Sequence, residues 1–155
     1  MSIRIIALGT RMPAWVNEGF AEYVKRMPRD WAVELVELKA DRREGGRTTA
    51  RSLAIEAERV RASWVGCHRV ALDERGKALT TAQLAQFLLA ARERAGRIAF
   101  AIGSADGLDP SLKSEAETLI SLSALTLPHG LVRVILAEQI YRAVSLLQGH
   151  PYHRE

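Results

Sequence analysis

Arg97-Ile98-Ala99-Phe100-Ala101-Ile102-Gly103-Ser104-Ala105-Asp106-Gly107-Leu108-Asp109-Pro110 carries a strand, a turn and a helix start in one short span. Residues 98–102 form a short apolar run that reads as a strand. Gly103 and Gly107 let the backbone pass close to a neighbour because neither carries a Cβ. Asp109 before Pro110 is an N-cap and N1 pair that opens a short helix. Strand, glycine-bearing turn and helix succeed one another with almost no linker, the unit from which α/β sheets are built.

The same alternation extends in both directions. Apolar runs at 3–8, 33–38 and 69–72 precede this one, and a shorter run near 120–122 follows it, giving five candidate strands. Between the first two, Trp15, Val16, Gly19, Phe20, Tyr23 and Val24 recur at helical spacing, and Pro28 closes that segment. Leu53, Ala57, Val60 and Trp64 mark a second helix. Thr80 and Gln83 have the spacing of a capping box, with Leu84, Phe87, Leu88 and Ala91 at i, i+3, i+4 and i+7 behind them. The pattern is that of a doubly wound α/β sheet, mostly parallel, with five or six strands and helices on both faces. A last helix over about 131–148 is apolar on more than one side: Leu131, Val134, Ile135, Ala137, Ile140, Tyr141, Val144 and Leu147 exceed what a sheet can cover. Either a homodimer interface or enclosure within the core supplies the second cover.

At 155 residues without repeat, low-complexity tract or linker, residues 1–155 read as one domain, long enough to bury roughly 70% of its unfolded surface. The single cysteine, Cys67, excludes an intramolecular disulfide and fits a reducing compartment. No signal peptide or membrane span is legible, so a soluble cytoplasmic protein is expected. The net charge of +4 points weakly to an anionic partner, and the low aromatic content (6%) argues against a base-stacking platform. The polar segment 39–47, flanked by Arg29 and Arg51, is either a solvated loop or a phosphate contact.

Ligands of open α/β sheets bind beyond the carboxyl ends of the strands, which selects three loops: Leu72-Asp73-Glu74, the 102–107 turn, and Leu122-Ser123-Ala124-Leu125-Thr126-Leu127-Pro128-His129. The third is apolar with interleaved hydroxyls, so it is expected either to be buried or to face an apolar ligand such as an adenine ring. There is no Lys-Ser or Lys-Thr after the glycines, hence no P-loop, and no Gly-x-Ser-x-Gly elbow. His150 and His153 straddle Pro151 and are not expected to hold a metal. The terminal Tyr152-His153-Arg154-Glu155 offers a ring, an imidazole and a guanidinium, or else a frayed basic tail.

Taken together in order and spacing, Ala7-Leu8-Gly9-Thr10-Arg11-Met12-Pro13, Leu72-Asp73, Ile102-Gly103, Asp106-Gly107-Leu108, residues 122–129, Leu131-Val132-Arg133-Val134, Glu138-Gln139-Ile140-Tyr141-Arg142-Ala143 and Pro151-Tyr152-His153-Arg154 resemble the RlmH family of SPOUT methyltransferases. That family methylates N3 of a pseudouridine in bacterial 23S ribosomal RNA. The resemblance spans essentially the whole chain. It implies a SPOUT fold with a C-terminal trefoil knot, an obligate homodimer, S-adenosyl-L-methionine as cofactor, and ribosomal RNA or the ribosome as partner, without metal or membrane. By position it implies cofactor contacts from Leu72, Gly103, Leu122, Ser123, Ala124, Leu125, Thr126 and Leu127. His129, Glu138, His153 and Arg154 become candidates for proton handling and catalysis, and Arg133, Arg142 and Tyr152 for substrate binding. Two residues depart from the family's usual pattern. Ser104 stands where glycine is common, a strain of about 1 kcal/mol if that position needs positive φ, and Gly130 is expected to loosen the start of the last helix. The competing classes are an RNA-binding factor without turnover and an α/β enzyme acting on a small molecule.

Overall fold

A computed structural model describes residues 2–41 and 44–153. Its sheet has five strands, β1 (Ser2–Leu8), β2 (Ala32–Leu38), β3 (His68–Ala78), β4 (Arg97–Ile102) and β5 (Thr118–Ser121), in the order β2-β1-β4-β3-β5. Every pairing is parallel. The connecting helices are α1 (Ala14–Val24), α2 (Thr49–Trp64), α3 (Thr81–Ala95) and α4 (Pro110–Glu115), and α5 (His129–Leu147) follows the last strand.

Parallel strands need crossover connections, and crossovers of one hand must pass over opposite faces when the chain moves in opposite directions along the sheet. The steps β1 to β2 and β3 to β4 run one way, and β2 to β3 and β4 to β5 run the other. The packing obeys that constraint. One core joins Ile3, Ile5, Ile98, Phe100 and Ile102 to residues of α1, α3 and α5, such as Phe20, Leu88 and Ile140. The other joins Ile6, Leu8, Ala99 and Ala101 to Ala57, Val60 and Trp64 of α2 and Leu112 of α4. Alternate residues of β1 and β4 thus supply opposite layers, the period-two consequence of the pleat.

The local signals act as their chemistry requires. Thr80 and Gln83 form a reciprocal capping box at the start of α3, and Gly96 ends it in the left-handed conformation. Asp109 caps α4 by accepting from the amide of Ser111 at 3.0 Å. β3 runs past the expected end at Leu72 because residues 73–76 bulge out of register: both Leu72 and Lys77 pair with Ile120. The bend depends on Gly76, where a Cβ would lie 2.7 Å from the backbone of Ile120.

α5 is covered chiefly by its own chain. It packs against α1 and α3 as well as the sheet, burying Leu136, Ala137, Ile140, Tyr141, Ala143 and Val144. Two glycines set the approach of α1. A Cβ at Gly130 would meet Val16 at 2.9 Å, and one at Gly19 would meet Val134 at 3.3 Å. Gly130 therefore serves the close packing of α1 against the first turn of α5. Leu131, Val132, Val134 and Ile135 remain only half-buried, and Trp15 on α1 is 55% exposed.

Candidate active site

The carboxyl ends of β1, β2 and β4 are tied together from beneath by one buried arginine. Arg133, in the second turn of α5, is 1% exposed. Its Nη1 donates to Glu37 Oε2 at 2.6 Å, its Nη2 to the carbonyl of Gly9 at 2.7 Å, and its Nε to His129 Nε2 at 2.9 Å. A buried guanidinium must be both paired and hydrogen-bonded, and each of its three nitrogens is. Arg133 was expected to touch substrate; it lies under the site and fixes its floor.

His129 completes the connection. Its Nδ1 sits 2.6 Å from the carbonyl of Gly103, while Nε2 accepts from Arg133. A ring nitrogen facing a carbonyl must carry the hydrogen, so His129 is the neutral Nδ1–H tautomer. Burial pushes its pKa below the ordinary histidine value, the neighbouring Arg133 charge acts in the same direction, and the Gly103 carbonyl opposes them. Both ring nitrogens are engaged, so His129 positions the turn after β4 in this arrangement.

That turn is tight. Gly107 donates its amide to the carbonyl of Ser104 at 2.8 Å, and the two residues form an isolated antiparallel bridge. Gly107 has φ of 82°, and a Cβ on Gly103 would stand 2.7 Å from the Gly107 carbonyl oxygen. The missing Cβ of Gly103 is thus taken up by the turn's own backbone. Ser104 is not strained: Arg11 is the one residue other than glycine with positive φ among the described residues. Instead its hydroxyl donates to Glu56 Oε1 at 3.0 Å. Glu56, on α2 and 3% exposed, accepts the amide of Asp41 on its other oxygen at 2.9 Å. In the sequence Glu56 is marked only as an acid among the apolar positions of α2, one residue before Ala57.

On the β3 and β5 side of the turn is a cavity of about 190 Å³ lined by Leu72, Leu79, Phe100, Ser121, Leu122, Leu136 and Gln139 among others. It brings together the expected loop residues Leu72 and Leu122. The rest of the apolar loop is not buried by the chain: Ala124, Leu125 and Thr126 are exposed, Leu125 by 74%. Ser123 steadies the loop by accepting from the amide of Leu125 at 2.9 Å and, through its carbonyl, from Ser121 Oγ at 3.0 Å. Of the two expectations for this segment, enclosure within the chain does not hold for Ala124, Leu125 and Thr126.

Glu138 and Arg142 form a separate group. Nine residues of helix place Glu138 about 14 Å along α5 from His129. Glu138 Oε2 accepts from Arg142 Nε at 3.0 Å and from the hydroxyl of Tyr152 at 2.9 Å. Arg142 lies over the Tyr152 ring at 5.0 Å, and Tyr141 tilts against it at 4.6 Å. Burial and the Glu138 carboxylate push the Tyr152 phenol up to about 12. As far as it is described, the tail is docked on α5 rather than frayed. The side chain of His153 is not described, and Arg154 and Glu155 lie outside the described residues. Among the described residues there is no cluster able to hold a metal, and no helix is long and apolar enough to cross a membrane.

A doubly wound sheet whose last helix returns to close the strand ends over a glycine turn is matched along residues 1–153 by the family model described as "Predicted SPOUT methyltransferase". The chain belongs to the SPOUT methyltransferases. It is 56% identical over 155 residues to a Ralstonia pickettii protein named Ribosomal RNA large subunit methyltransferase H, covering 99% of each chain. A Nitrosospira multiformis protein of the same name is 51% identical with the same coverage. Among solved structures, a protein assigned to a methylase family from Neisseria gonorrhoeae superposes with a TM-score of 0.56 at 15% identity, covering 90% of this chain and 81% of the other, which speaks to fold alone.

Proposed function

We propose that this chain transfers the methyl group of S-adenosylmethionine to N3 of a pseudouridine in large-subunit ribosomal RNA, in the cytoplasm and as a homodimer. The observation that carries this reading is the 56% identity, end to end, with a relative named for methylation of large-subunit ribosomal RNA. The half-buried apolar residues of α5 and the exposed Trp15 and Leu125 support a partner copy, and the C-terminal trefoil knot comes with the same proposal.

The residues present fit the cofactor. A planar apolar ring suits a cavity walled by Leu72, Leu122 and Leu136 with Ser121 and Gln139 as polar partners. At about 190 Å³ it falls short of the ~300 Å³ at which pockets for whole ligands begin. Leu122 and Leu72 would therefore hold one end of the molecule, with the open loop residues Ser123, Ala124, Leu125, Thr126 and Leu127 and the backbone at Gly103 along the remainder. When bound, S-adenosylmethionine supplies an electrophilic methyl group.

The chain's own tasks are to bring the imide nitrogen into line and to favour loss of its proton. His129 and Arg133 hold the turn after β4 and so act by positioning. Glu138, Arg142 and Tyr152 form the hydrogen-bonded group best suited to proton handling and to steadying negative charge near the substrate, joined by His153 and Arg154. Incubation with labelled cofactor and ribosomes, followed by mapping of the modified base, tests the proposal. Label on N3 of one pseudouridine of the large-subunit RNA is expected. No transfer to ribosomes, subunits or free RNA by protein that binds the cofactor would overturn it.

A further inference from the structure

We infer that a phosphate group of the RNA strand is received in a recess at the carboxyl ends of β1 and β2, with Arg11 and Lys39 as its cations and the lining Asp41 carboxylate engaged by Arg47 at 2.6 Å; this rests on the RNA methyltransferase reading above. The pocket is an open recess of about 470 Å³ lined by Gly9, Thr10, Arg11, Lys39, Ala40 and Asp41. Arg11 and Lys39 are both exposed, and among the described residues neither forms an ion pair. Arg11 is held at φ 57°, a conformation that a side chain other than glycine's rarely adopts.

The two walls are what join this recess to the chemistry. The wall that begins at Gly9 is anchored by Arg133, which also holds His129 on the Gly103 carbonyl. The wall that ends at Asp41 is anchored by Glu56, which also holds the Ser104 hydroxyl. Two buried charged side chains therefore lock both walls to the two adjacent residues that open the turn after β4. Strand order puts the recess on one side of that turn and the Leu72–Leu122 cavity on the other. A strand whose reactive base lies over the turn would carry a neighbouring phosphodiester into the recess, where a planar guanidinium and an ammonium supply the donors that phosphate oxygens require.

The test uses the full chain with Arg11→Gln, Lys39→Gln and both together, and Arg97→Gln as a charge-matched control at the opposite end of the sheet. Binding of a single-stranded RNA containing the target sequence is followed by fluorescence anisotropy between 50 and 300 mM salt, and S-adenosylmethionine binding by calorimetry. The double variant is expected to bind the RNA about tenfold more weakly, with its salt slope shallower by roughly 0.7 for the phosphate lost. Cofactor affinity stays as in the parent, and Arg97→Gln changes RNA affinity less than twofold. Inorganic phosphate tested as competitor distinguishes a polynucleotide site from one for free anion: displacement of RNA at low millimolar phosphate would assign the recess to the small ion and overturn the inference. Unchanged affinity and slope in the double variant, while the parent still methylates RNA, would refute it and leave the methyltransferase reading intact. A parent that binds cofactor but methylates neither ribosomes, subunits nor free RNA would remove both.

Discussion

Gly103→Ala should destabilise the protein through the turn after β4. The added Cβ would stand 2.7 Å from the Gly107 carbonyl oxygen and 2.8 Å from its Cα, where ordinary contact begins at 3.4 Å. The obstructing atoms are backbone, so no rotamer change relieves the clash, and the turn must retreat by more than half an ångström. Overpacking of this kind costs about 1–3 kcal/mol. Retreat also strains the 2.8 Å bond from the Gly107 amide to Ser104 and the 2.6 Å contact of Gly103 with His129, each worth about 1 kcal/mol. The expected loss is about 2–4 kcal/mol, equivalent to a fall in Tm of roughly 6–12 °C for a domain of this size. Urea unfolding followed by circular dichroism measures it, with the m-value checking that the transition keeps its cooperativity. A change below about 0.5 kcal/mol would refute the claim that the turn's backbone occupies the space a side chain would take.

The remaining predictions concern the charged and aromatic groups around it. Arg133→Met should cost about 3 kcal/mol, the low end for a broken buried pair because Glu37 keeps partial access to water; urea unfolding that shows full stability would refute the role of Arg133 as a buried anchor. His129 and His68 both have folded pKa values depressed chiefly by burial, so the unfolded chain binds protons first as pH falls below about 7. Stability should accordingly decline through the ordinary histidine range until the folded values are reached, and a urea midpoint that is flat or rising from pH 7.5 to 5.5 would contradict the assignment. Tyr152→Phe should abolish the phenol that ionises near pH 12 in an ultraviolet titration and should speed proteolytic removal of the last residues, since the hydroxyl's bond to Glu138 at 2.9 Å is lost. Gly130→Ala should gain no stability despite its better helix propensity, because its Cβ meets the stiff, buried Val16 at 2.9 Å; thermal melting that rises by several degrees would show that α1 yields freely.

The elements legible in the sequence were those fixed by local chemistry. The Thr80 and Gln83 capping box, the Asp109-Pro110 helix start and the apolar strand 98–102 each follow from interactions spanning a few residues, and each lies where the sequence puts it. β3 overran its reading because its continuation depends on Ile120, which pairs with both sides of the bulge from more than forty residues away. The site was legible as three loops at strand ends but not as a connected structure. Nothing local distinguishes Arg133 from an exposed arginine; its burial is set by Glu37 and Gly9, both distant in sequence. Ser104 looked like a backbone problem because the hydroxyl's partner, Glu56, belongs to a helix on the other face of the sheet.

The anchoring of Gly9 and Glu37 by Arg133 also sets an order of events in synthesis. These bonds close loops of 124 and 96 residues, so the first two strands emerge from the ribosome long before the side chain that finishes their carboxyl ends. Until α5 has been made, the Gly103 carbonyl has no His129 and the Gly9 carbonyl has no guanidinium. A nascent chain arrested before residue 129 has every strand in its sequence yet lacks the side chains that join their carboxyl ends. Completion of the strand ends thus falls to the most non-local contacts described, which close only after the whole sheet has been synthesised.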